Sequence, residues 1–133
     1  MKKESLPVPL EEDEQALLFE WAELQKGAYP ELKWMYHIAN GGKRHIGTAI
    51  KLKQQGVKPG VLDICLPVRR GEYGGLYIEM KRIKGGKLSP EQIAWMEHLM
   101  HEGYCVASCK GFEKAKEMLL RYLKMKKNGE GTA

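Results

Sequence analysis

The chain has 133 residues, of which 43% are hydrophobic and 29% charged, a balance that suits one soluble globular domain with an ordinary core. No apolar run reaches the length of a membrane span, the N-terminus lacks the apolar core of a signal peptide, and three cysteines without a C-x-x-C pair make a poor disulfide or zinc framework. A cytoplasmic protein is the expectation.

The net charge of +5 is unevenly spread. Residues 1–32 hold eight acids and three bases, and residues 33–133 hold 19 bases and nine acids. No acid falls between Glu31 and Asp63, whereas Lys33, Lys43, Arg44, Lys51, Lys53 and Lys58 do. Such a stretch suits a polyanionic partner, most simply nucleic acid, and on charge alone a solvated basic face explains it equally well.

Residues 1–10 carry two prolines and read as a flexible arm, residues 11–127 as one domain, and residues 128–133 (NGEGTA) as a disordered tail. The first helix is predicted over residues 12–26, with Leu17, Leu18, Trp21 and Leu24 on one apolar face. Glu14 and Glu11 lie on the turns before that face. KWMYHIAN (33–40) reads as a strand, NGG as a loop, and residues 46–55 as a helix ending at Gly56. VLDICLP reads as a strand interrupted by Asp63, RRGEYGG as a hairpin loop, and LYIEMKRI as the next strand. SPEQ has the form of a capping box, with Ser89 at N-cap, Pro90 at N1 and Gln92 at N3. That helix runs to Glu102. YCVASC is a strand, and residues 112–126 form a last helix with Ala115, Met118, Leu119, Tyr122 and Leu123 inward. The order α-β-α-β-β-α-β-α implies an α/β fold, a mixed sheet of about four strands flanked by helices. Trp21, Trp34 and Trp95 are expected in the core rather than as stacking platforms.

Side chains alternate along a strand, so Glu79 and Lys81 share one face, with Tyr77 and Ile83. The hairpin can bring Asp63 beside Glu79. Two adjacent carboxylates raise each other's pKa, and a divalent cation relieves the repulsion. Hard oxygen donors suit Mg²⁺ or Mn²⁺, and a neighbouring lysine can position a water or neutralise charge developing on phosphorus. E-x-K alone is common and equally describes an exposed ion pair.

The combination is more specific. NGGKR, the G-x-K-x-G of Gly56–Gly60, Asp63, the E-x-K of Glu79–Lys81, and L-S-x-x-Q ending at Gln92 together resemble the VRR-NUC family of virus-type replication–repair nucleases. That family lies within the PD-(D/E)xK, restriction-endonuclease-like superfamily. The resemblance runs from about Glu11 to Leu123. It implies a restriction-endonuclease-like core, with Asp63 and Glu79 as metal ligands and Lys81 as the catalytic lysine. It also implies that Gln92 faces the active site, although the capping box explains that residue by itself. A first-helix glutamate should join the metal, Glu14 before Glu11. One departure is Val61-Leu62 where the family usually has proline before the aspartate.

Phosphate contacts are expected from Asn40, Lys43 and Arg44 in the NGGKR turn, and from Lys51 and Lys58. The implied activity is Mg²⁺- or Mn²⁺-dependent cleavage of DNA, with branched substrates (Holliday junctions or flaps) and a homodimer as partners. The alternative is an inactive nuclease fold that binds DNA without cutting it.

Overall fold

The computed structural model describes residues 7–39 and 46–127. The first six residues, the NGGKR turn and the tail from Asn128 lie outside them. The elements are α1 (Glu11–Gln25), a 3₁₀ turn (Pro30–Trp34), β1 (Tyr36–His37), α2 (Ile46–Gln54), β2 (Ile64–Leu66), β3 (Leu76–Lys81), α3 (Pro90–His101), β4 (Cys105–Lys110) and α4 (Phe112–Lys124). The four strands form one mixed sheet in the order β1-β2-β3-β4. β1–β2 and β2–β3 are antiparallel, and β3–β4 is parallel across the α3 crossover.

The even-numbered residues of β2 and β3, Ile64, Leu66, Leu76, Ile78 and Met80, point to one side of the sheet and are buried with Leu18 of α1 and Leu119 and Tyr122 of α4. The odd-numbered face carries Glu79, and α3 meets it there through Gln92. Tyr122 donates its hydroxyl to Val68 O (2.6 Å), which satisfies both buried groups and closes α4 onto the hairpin. Arg70, also buried, donates to Leu123 O and Arg69 O and pairs with Glu31. It ties the hairpin, the end of α4 and the 3₁₀ turn into one unit.

Three expectations are corrected. The strand over residues 33–40 is a 3₁₀ turn followed by a two-residue strand. Pro30 opens the turn, and Leu32 and Met35, three apart, are both buried, which is the 3₁₀ period rather than the strand period. Trp34 falls between them and is 59% exposed, so it is not a core residue. The inward line of α1 is Glu14, Leu18 and Ala22, with Trp21 at its margin; Leu17 (48% exposed) and Leu24 (77%) face outward. The buried line is set by what α1 packs against, and a carboxylate there has a specific partner, described below.

The corrected face is testable. Leu18→Ala should cost about 2–5 kcal/mol in urea unfolding, and Leu24→Ala on the same helix should stay within about 0.5 kcal/mol. Equal effects would restore the face read from periodicity.

Candidate active site

Asp63 sits immediately before β2, and the register Ile64↔Ile78 carries it to a place opposite Glu79. Three bonds fix it. Its carbonyl accepts from Ile38 N (2.7 Å) and from His37 Nδ1–H (2.8 Å), and its side-chain Oδ2 accepts from Met80 N (2.8 Å). Leu62, standing where the resemblance expects proline, is fully buried, so packing anchors the approach to Asp63.

Glu79 is 2% exposed, a costly place for a carboxylate. Its Oε1 accepts from Gln92 Nε2 (2.6 Å) and lies 3.7 Å from Lys81 Nζ. Its Oε2 is buried without a hydrogen-bond partner among the described residues. Burial first, and then the Asp63 carboxylate, push the Glu79 carboxyl up to about 8 against the lowering pull of Lys81. Lys81 is buried beside it, and Gly111 N donates to the Lys81 carbonyl (3.0 Å), which secures the end of β3 against the start of α4.

Gln92 serves the helix cap and also reaches the sheet. Ser89 Oγ accepts from Gln92 N (3.1 Å), and Gln92 Oε1 accepts from Ser89 N (2.9 Å), a complete capping box. The same side chain donates its amide to Glu79. The segment before Asp63 braces this arrangement. Trp95 Nε1 donates to Pro59 O (3.2 Å), and Gly60 (φ +85°) lies so close to α3 that an added Cβ would stand 2.5 Å from Glu91 Cβ and 2.8 Å from Gln92 N. The role of Gly60 is a long-range approach that its glycine-rich motif only hints at.

The glutamates of α1 are placed differently from each other. Glu14 is buried, and its Oε2 accepts from Phe112 N (2.6 Å), 98 residues away. It caps α4, whose N-cap residue Gly111 has no side chain to do so, and its charge meets the positive end of the helix dipole. Glu11 lines an open cleft of about 450 Å³ together with Asp63, His37, Gln15 and Arg82. Arg82 in turn donates to Val8 O (2.8 Å) and Pro9 O (3.3 Å), which ties the end of the N-terminal arm to this side of the molecule. Among the described residues no group of three His, Cys, Asp or Glu side chains is clustered as a metal site, and the Glu14 oxygen seen in contact is the one that caps α4.

Of the residues expected at phosphate, Asn40, Lys43 and Arg44 lie outside the described residues. Lys51 on α2 and Lys58 in the following loop are exposed.

The donor set fits a hard divalent cation. Mg²⁺ is commonly held by one or two carboxylates and completed by water and phosphate oxygens. Asp63 and the partnerless oxygen of Glu79 offer that pair.

The VRR-NUC domain family matches residues 10–113. The chain belongs to the VRR-NUC domain family. A solved structure described as a VRR-NUC domain protein is 29% identical, covers 92% of this chain and 94% of its own, and superposes with a TM-score of 0.79. No curated protein matches the chain. Family membership places the chain in a nuclease-type family, and its mixed four-stranded sheet flanked by helices is the α/β arrangement of that VRR-NUC relative. Among the described residues no helix of this VRR-NUC chain is long and apolar enough to cross a membrane.

Proposed function

We propose that this VRR-NUC chain is a Mg²⁺- or Mn²⁺-dependent endodeoxyribonuclease that cuts branched DNA, such as a Holliday junction or a flap, in replication, repair or recombination. The observation that carries the reading is a buried Glu79, one of whose oxygens has no donor among the described residues, held beside Asp63 and within 3.7 Å of the Lys81 ammonium. Burying such a group is unfavourable for a merely structural strand. It makes sense where a cation completes the site.

Asp63 and Glu79 would hold the ion, and its Lewis acidity would act on the phosphodiester. Met80 N fixes the Asp63 carboxylate, and Gln92 fixes that of Glu79, so neither must reorganise when substrate arrives. Lys81 Nζ positions the attacking water and offsets charge developing on phosphorus. Asn40, Lys43, Arg44, Lys51 and Lys58 supply phosphate contacts outside the reacting atoms. A homodimer would present two such sites to a two-fold junction.

The test is cleavage of a four-way junction, a flap, a duplex and a single strand with Mg²⁺ or Mn²⁺. Wild type should cut the branched DNAs and leave 5′-phosphate ends, and Asp63→Ala should lose about 10²-fold or more. Light scattering checks the dimer. Cleavage of none of these DNAs by wild type would sink the reading. One second reading, a nuclease fold that binds DNA without cutting, is favoured by Glu14, whose Oε2 is taken up in capping α4 through Phe112 N. It predicts salt-dependent binding with no product in either metal.

A further inference from the structure

A second cleft, of about 880 Å³, opens at the other end of the same two strands. β1 and β2 are antiparallel with Tyr36 opposite Cys65. Trp34, just before β1, and Arg69, just after β2, therefore fall at the end away from Asp63. Lys33, Trp34, Arg69 and Lys127 line the cleft, and all four are exposed. The carboxylate in its wall, Glu31, is paired with Arg70, so the exposed charge there is positive.

Trp34 gives the cleft its chemistry. Its indole is 59% exposed, and Lys33 Nζ lies 4.8 Å from the ring centroid. The backbone that carries it is held: Leu32 and Met35 are buried, and Met35 N donates to Leu32 O (3.2 Å). An exposed aromatic with Lys33 beside it, in a cleft that Arg69 also lines, suits a nucleobase stacked on the indole with its phosphates against lysine and arginine. Duplex DNA keeps its base faces stacked inside, so an unpaired nucleotide is the matching ligand.

We propose that this cleft holds an unpaired nucleotide of the same DNA strand that is cut at Asp63 and Glu79. The identity of the ligand as DNA rests on the nuclease reading. The spacing is compatible: β2 has three residues at about 3.3 Å each, so the two sites are on the order of 10–20 Å apart. That span corresponds to roughly three to six nucleotides of stacked strand. Substrates with a single-stranded segment next to the scissile bond are then favoured through stacking, without base readout.

The test is binding by fluorescence anisotropy in EDTA, which separates it from cleavage. The full chain is titrated onto a labelled single strand, a blunt duplex and a duplex with a single-stranded tail. Trp34→Ala should weaken binding of the single strand and the tailed duplex about tenfold and leave the blunt duplex unchanged. Arg69→Ala should weaken the same two DNAs, and Trp34→Phe should recover part of the loss. Indole quenching by the unlabelled single strand should disappear in Trp34→Phe. Wild-type affinity of Trp34→Ala for the tailed duplex, or equal weakening on blunt and tailed DNA, overturns the proposal, as does quenching that persists in Trp34→Phe. If wild type binds none of the three DNAs, this proposal falls, and the nuclease reading is decided by the cleavage test alone. Tail-selective, Trp34-dependent binding without cleavage in Mg²⁺ or Mn²⁺ supports the cleft and removes only the nuclease reading.

Discussion

Lys81→Ala should fold normally and cleave DNA about 10²–10⁴-fold more slowly, with DNA affinity changed little. The reason is location. Lys81 is buried, its ammonium lies 3.7 Å from Glu79 Oε1, and it shares its strand face with Glu79. In so shielded a place a single charge acts on its neighbours more strongly than it would in water. Lys81→Arg should not restore the rate, because a planar guanidinium neither fits the space of an ammonium nor points a single charge at it. Single-turnover cleavage in saturating metal measures the chemical step, and binding in EDTA measures the rest. A Lys81→Ala rate within a few-fold of wild type would remove Lys81 from the chemistry and leave it as a counter-charge for Glu79.

Gly60→Ala should cost about 2–4 kcal/mol of stability. Two effects combine. The backbone is at φ +85°, which L side chains rarely adopt, and the added carbon would collide with Glu91 Cβ at 2.5 Å and Glu91 C at 2.6 Å. Relief requires moving the start of α3, and Gln92 moves with it, so cleavage should fall as well. Gly56 at the other end of the same motif is the control. Its φ is +98°, but nothing lies within 4 Å, so Gly56→Ala should cost only the backbone strain, about 1 kcal/mol. Urea unfolding of the two variants separates close approach from conformation, and equal losses would show that the approach to α3 does not matter.

The strand that carries the candidate site was legible because its information is local. Alternation placed Glu79 with Lys81, and a short hairpin constrains which residue can face Glu79; the pairing of Ile64 with Ile78 brings Asp63 there. The capping box was legible for the same reason, since Ser89 and Gln92 are three residues apart. What escaped depends on distant partners. Glu14 belongs to the buried line of α1 because Phe112, 98 residues on, needs an acceptor, and no pattern within the helix carries that fact. Leu17 and Leu24 keep helical spacing with Leu18 and still face outward, because the sheet and α4 take a different stripe. Trp34 was misplaced because a 3₁₀ turn buries every third residue and pushes the two between, Lys33 and Trp34, into solvent.

The amide of Gln92 has a consequence for which residues this helix start can accept. A capping box of this kind ordinarily takes glutamate or glutamine alike at N3, since either supplies the oxygen that accepts from the N-cap amide. Here Ser89 N claims that oxygen, and the other end of the side chain is turned toward Glu79 Oε1. Only a donor can stand there. Glutamate would keep the cap and set a third negative charge against Asp63 and Glu79. A residue thirteen positions earlier, on a strand, thus narrows a two-letter choice at a helix N-terminus to one letter. The sequence Ser-Pro-Glu-Gln, which by itself says only where a helix begins, also records the sign of the charge that the helix was built to meet.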